Sequence, residues 1–66
     1  MTIDYGTIVK TRRQEMGLSQ IEVADRAVCD LSVVGRIERG EGVHLDTFLS
    51  VLAALDLRVD VVEVRT

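Results

Sequence analysis

The chain of 66 residues contains no proline, one cysteine and one histidine, and it has few positive charges and no long hydrophobic run. With Cys29 alone, no disulfide can form within the chain, and Cys29 and His44 together cannot complete a four-ligand zinc site. The absence of proline and of Ser/Gly-rich stretches, beside an apolar content of 47%, describes a folded chain rather than a disordered tail. The apolar runs are broken by charges such as Asp56 and Asp60. None approaches the ~20 residues that span a bilayer, and the N-terminus lacks a basic-then-apolar leader, so a reduced cytoplasmic setting is expected. Catalysis finds no support, since there is no nucleophile–base pairing, no Gly-rich phosphate loop and no carboxylate cluster at ligand spacing. A non-enzymatic chain without metal or cofactor is therefore expected. A single core in a chain below ~70–80 residues rarely supplies more than ~3–5 kcal/mol, so with staples excluded the remaining source of stability is a second copy. Eight Lys and Arg against eleven Asp and Glu give a net charge of −3, which at first argues against a nucleic-acid partner.

What is present reads as one domain over residues 1–66, helical over about 4–56 and extended over 57–65. Tyr5, Ile8, Val9 and Met16 share a helical stripe, with Asp4 as N-cap and Gly17 as the stop. Ser19 and Glu22 have the spacing of a capping box, opening a second helix whose buried face would be Val23, Ala24, Ala27 and Val28. Asp30 caps a third helix that turns Val34 and Ile37 inward and ends at Arg39-Gly40. A fourth helix repeats Leu45, Phe48, Leu49, Leu52 and Leu55 on one face, and Val51 and Ala54 form a surplus apolar stripe.

The period then changes. Leu57, Val59 and Val61 alternate with Arg58 and Asp60, and Val62 and Val64 follow, which predicts a β-strand. A lone strand leaves its backbone unpaired, so another chain must supply the neighbour, and pairing between two copies is expected. The dimerisation set read from the sequence is Val51, Leu55, Leu57, Val59, Val61, Val62 and Val64. The expected architecture is thus mainly α: four helices and a C-terminal strand paired across a homodimer.

Two capped helices joined by a tight turn form a helix-turn-helix, whose second helix can enter a DNA major groove. With Val34 and Ile37 facing the core, steps of 100° put Ser32, Gly35, Arg36 and Arg39 on the opposite stripe, with Leu31 and Val33 at its edges. Arg36 suits bidentate bonding to guanine, Ser32 a base or a phosphate, and Leu31 a thymine methyl. Lys10 is a candidate phosphate contact, and Arg12 is either that or a solvated cation. Cys29 reads as a small apolar filler in the turn, and His44 as a cap or loop residue.

Gly17-Leu18-Ser19-Gln20, Val23-Ala24, Arg36-Ile37-Glu38-Arg39-Gly40 and Leu45-Asp46-Thr47-Phe48, in this order, resemble the lambda-repressor/Cro-like (Xre-type) helix-turn-helix DNA-binding repressors over about residues 5–57. The resemblance implies that Gln20, at the start of the second helix, bonds a backbone phosphate, and that Arg13 and Glu38 form a buried structural ion pair. The terminal strand in place of a fifth helix resembles the HipB-like antitoxins, which implies a kinase-like (HipA-type) toxin as a protein partner. Three positions depart from the family: Val28 stands where glycine is usual, Asp30 where Ser or Thr is usual, and Gly35 offers no side chain for reading a base.

Counting charge locally answers the objection raised by the net charge. From Lys10 to Arg39 six cations face five anions, whereas from Gly40 onward Arg58 and Arg65 face five anions. The acidity belongs mostly to the dimerising end. The expectation is a sequence-specific, homodimeric repressor, the antitoxin or autoregulator of a toxin operon, binding a palindromic double-stranded operator with its third helix. The alternative is an interaction module that retains the fold without specific DNA binding.

Overall fold

In a computed structural model that describes residues 3–65, four helices follow one another: α1 (Tyr5–Glu15), α2 (Gln20–Ala27), α3 (Leu31–Glu38) and α4 (Leu45–Ala54). Each of the first three starts at a side-chain cap. The Asp4 carboxylate accepts from the Thr7 amide at 3.0 Å and from its hydroxyl at 2.6 Å. Ser19 and Glu22 exchange bonds at 3.1 and 3.0 Å in a complete capping box. Asp30 accepts from the Ser32 amide at 2.9 Å. These bonds satisfy amides that the first helical turn leaves without partners. His44 occupies the corresponding position before α4 but makes no side-chain cap.

All four helices end in the same way. Amide–carbonyl pairs Leu18–Arg13 and Gly17–Gln14, Cys29–Ala24 and Val28–Asp25, Glu41–Arg36 and Gly40–Ile37, and Leu57–Leu52 and Asp56–Ala53 are each a Schellman motif. The residue that must turn left-handed is glycine at 17 and 40, but Val28 (φ 55°) and Asp56 (φ 56°) at the other two ends. Val28 is therefore not on the buried face of α2 as its apolar character suggests. It is 90% exposed, because its backbone reverses the chain and points its side chain outward.

The core is built from Val9, Leu18, Val23, Ala24, Val34, Ile37, Val51, Leu52 and Leu55. Helix α2 packs on α3 and α4, and α1 on α3. At Gly6 the backbones nearly touch: a Cβ there would lie 2.7 Å from the Ile37 carbonyl oxygen and 2.8 Å from that of Glu38. Only glycine permits that approach. At one end Tyr5 and Phe48 meet edge-to-face at 5.7 Å, and at the other the Arg12 Nε donates to the Leu55 carbonyl at 3.0 Å.

Two expectations about the residues assigned to dimerisation change. Val51 and Leu55 are fully buried, so they hold the monomer together and present nothing to a partner. The inward stripe of α4 is Phe48, Val51, Leu52 and Leu55, at the helical spacing of three, one and three; Leu45 and Leu49 are turned outward. Residues 57–65 form no strand, and none occurs among the described residues. After the left-handed turn at Asp56, Leu57 tucks against the core, and Val61, Val62 and Val64 are largely exposed. A ladder needs a second strand, and this chain offers itself none. No helix among the described residues is long and apolar enough to cross a membrane.

Candidate nucleic-acid interface

Helix α2, the turn through Val28, Cys29 and Asp30, and helix α3 form a two-helix unit whose outer surface is set by the burial of Val34 and Ile37. With those two facing inward, Leu31, Ser32 and Arg36 are exposed along α3, and Arg39 is exposed at its end. Val33 is half-buried and packs against the core, so it adds little to this surface. Gly35 is covered rather than bare. The Arg39 guanidinium folds over it, and a Cβ on Gly35 would come within 3.0 Å of Nη1. Gly35 thus provides a seat for an arginine, not the open strip of backbone its lack of a side chain suggests.

The orientation of α3 is fixed from below by a buried ion pair. The Arg13 Nε donates to Glu38 Oε2 at 2.6 Å and its Nη2 to Oε1 at 2.9 Å, with side-chain exposures of only 13% and 6%. The remaining Arg13 donor reaches the Leu18 carbonyl at 3.0 Å, so one guanidinium ties α1 to α3 and to the turn before α2. Burial pushes the Glu38 carboxyl up, but bonds from Arg13 and Gln20, with Lys10 nearby, outweigh it and hold the group below its ordinary value.

Gln20 lies at the start of α2, half-buried, with its amide Nε2 donating to Glu38 Oε1 at 3.2 Å. Its place beside a helix N-terminus suits phosphate contact, yet in this structure its side chain belongs to the Arg13–Glu38 network. Lys10 is exposed and close enough to act on the Glu38 carboxylate, on the side of the molecule where α2 begins. Arg12 is placed elsewhere: its guanidinium caps the C-terminal end of α4 through Leu55 and lies 3.9 Å from Glu15. The two basic residues of α1 read together from the sequence therefore part company.

Local carboxylates temper the positive face. Asp30, bonded by Ser32 and near Arg36, is held below its ordinary value, and Glu41 is held down by Arg39, to which it bonds at 2.6 Å. Glu41 is a functional residue that sequence reasoning does not single out. The signal was present, however, in its position two residues beyond Arg39 across a glycine that reverses the chain. Cys29 in the turn is half-buried, with its thiol pushed up by burial and by Asp30, which makes a reactive thiolate unfavourable.

A two-helix unit with an exposed, capped second helix is common to many regulators, and comparison with known proteins decides which. The helix-turn-helix family model HTH_3 matches residues 9–62. The chain belongs to the Xre-type, lambda-repressor-like helix-turn-helix family. Membership makes it a DNA-binding transcription regulator and not an enzyme. Among solved structures, the restriction-modification controller protein C.AhdI from Aeromonas hydrophila superposes on this Xre-type chain with a TM-score of 0.76. The two are 35% identical, and the match covers 85% of this chain and 86% of that one. No match is found among curated proteins.

Proposed function

We propose that the chain is a sequence-specific repressor that binds a palindromic operator as a homodimer, with α3 of each copy in successive turns of the major groove. The observation that carries this reading is the row Leu31, Ser32 and Arg36, exposed along a helix whose opposite face is locked by the Gly6 contact and the Arg13–Glu38 pair. Recognition demands such rigidity, because base contacts discriminate only when the helix cannot rock in the groove. Arg36 bonds guanine, Leu31 meets a thymine methyl, and Ser32 reaches a base edge or phosphate. Lys10 and Arg39 supply phosphate contacts, as does Gln20 once its amide leaves Glu38. Val33, Gly35 and Arg12, which the sequence also suggested, contribute through packing and α4 rather than through DNA.

The second copy joins through residues 57–65, whose exposed valines and, beyond Leu57, unpaired backbone become a two-stranded ladder only in a dimer. Two half-sites about one helical turn apart then compensate for a modest affinity per subunit. The regulated operon encodes a product that must be kept in check, and the regulator, acting in the cytoplasm, represses its own gene with it. The similarity to C.AhdI favours a restriction-modification operon. The HipB-like pattern of the tail favours a kinase-like toxin that also binds the dimer.

Selection from a randomised duplex pool, followed by anisotropy titration at two salt concentrations, tests the readout. A palindromic consensus is expected, with Arg36→Ala losing about 1–3 kcal/mol and relaxing one position of each half-site. Equal affinity for all sequences, unaffected by Arg36→Ala, would leave only the interaction-module reading. The neighbouring reading frame, a restriction enzyme or a kinase-like protein, separates the two operons.

A further inference from the structure

We propose that Glu41 sets the strength of DNA binding by competing with DNA phosphate for the Arg39 guanidinium. The inference rests on the DNA-binding reading above and concerns how that surface is restrained. Arg39 Nε lies 2.6 Å from Glu41 Oε2, and the guanidinium is laid back over Gly35, the one position in α3 without a Cβ to displace it. The two side chains are 63% and 52% exposed. An ion pair this open to water contributes little to stability and exchanges readily, so it does not serve the fold as the Arg13–Glu38 pair does.

Glu41 is nonetheless held in place. Its amide donates to the Arg36 carbonyl at 2.9 Å as part of the Schellman end of α3, so the carboxylate is fixed to the last turn of the recognition helix. From there it faces both cations of that helix, since Arg36 as well as Arg39 helps to hold its carboxyl down. A phosphate arriving at Arg39 must displace a charge-assisted bond already made, and it approaches a carboxylate while doing so. The outcome is a recognition helix whose second cation is available only at the cost of an exchange, which keeps sequence-independent binding weak. Arg36, which makes no such bond, is left to read bases.

The test uses the full chain and a fluorescein-labelled, mixed-sequence duplex of about 30 base pairs, for which phosphate contacts dominate binding. Glu41→Gln is expected to tighten binding about 3–10-fold at low salt and to steepen the salt dependence by up to roughly one unit of log–log slope per subunit. Glu15→Gln removes the same charge from an exposed position on α1, outside the tail and the proposed DNA contacts, and should leave both quantities near wild type. Circular dichroism of each variant establishes that the helices are intact. The gain from Glu41→Gln should vanish in an Arg39→Gln background, because no guanidinium remains to be released. An undiminished gain in that background would show a diffuse charge effect and overturn the proposal. So would an unchanged affinity in Glu41→Gln while the wild type binds DNA and responds to Arg36→Ala, although the proposed function would stand. No binding by the wild type or by Glu41→Gln would overturn both.

Discussion

Replacing Val28 by glycine should stabilise this protein, although it deletes an entire apolar side chain. Val28 holds φ 55° and ψ 50°, the left-handed conformation in which a Cβ crowds the following carbonyl. That conformation costs an L-residue roughly 1–2 kcal/mol, and a β-branched side chain is the worst suited to it. Because the side chain is 90% exposed, its removal sacrifices almost no buried area. Glycine returns part of the gain through the greater freedom of the unfolded chain, about 0.5–1 kcal/mol. The balance is a stabilisation of about 0.5–1 kcal/mol, or roughly 2–8 °C in midpoint for a domain of this size. Thermal unfolding followed by circular dichroism at fixed protein concentration measures it, with Val28→Ala and Val28→Asn as companions. Alanine keeps the Cβ and should recover less than glycine, and asparagine, which tolerates the left-handed region, should fall between. A lower midpoint for Val28→Gly, or equal midpoints for glycine and alanine, would refute the strain argument.

Glu38→Ala should cost about 3–5 kcal/mol in chemical denaturation, because it strands the Arg13 guanidinium in a site only 13% exposed; Arg13→Met with Glu38→Leu should recover much of that loss. Glu38 also gives the fold a pH dependence: its carboxyl is lowered in the folded state from 4.5, so its contribution is complete above that value and is lost as pH falls through the folded value. The unfolding midpoint measured from pH 6 to pH 3 should therefore decline below about pH 4.5, and the decline should be shallower in the Met/Leu double variant. Gly6→Ala should destabilise by about 1–3 kcal/mol in the same assay, since its Cβ would meet backbone oxygens that have no rotamer through which to yield. Light scattering of the full chain and of one ending at Asp56 should give a dimer and a monomer; two monomers would refute the role of the tail, and two dimers would move the interface to the helices.

The helix starts were legible because each is decided within four residues: Asp4, Ser19 with Glu22, and Asp30 sit where a short polar side chain can reach a free amide. The exposed row of α3 was legible for a similar reason, since burying Val34 and Ile37 leaves little choice about what faces outward. The inward face of α4 differs from the expected one because the helix carries apolar residues on two adjacent stripes. Periodicity cannot choose between them; in the fold Val51 is fully buried and Leu49 is exposed. Gln20, Arg12 and Arg39 were harder still, since each is captured by a group the local pattern does not connect to it: Glu38, the Leu55 carbonyl and Glu41. The alternation of residues 57–65 reads as a strand, yet none forms there, since a ladder needs a neighbour that one copy lacks.

The alternation in that tail also fixes how two copies can align. Arg58 Nε lies 3.5 Å from Asp60 Oδ1, so the two charges share one face, leaving Leu57, Val59 and Val61 for the other. In an antiparallel pair related by a two-fold axis, one residue stands opposite its own copy and the others pair symmetrically about it. With the axis at Val59, Arg58 faces Asp60 twice, and Val61 stands opposite Leu57, whose side chain already packs partly on the monomer core. Moving the axis by one residue sets Arg58 against Arg58 in one direction and Asp60 against Asp60 in the other, both repulsive. Self-recognition in the proposed dimer is thus written in two charges rather than in the valines that supply its adhesion. A related chain with the same valines but one of those charges reversed would keep one of the two opposite-charge pairs and turn the other repulsive, and so would pair less well than a second copy.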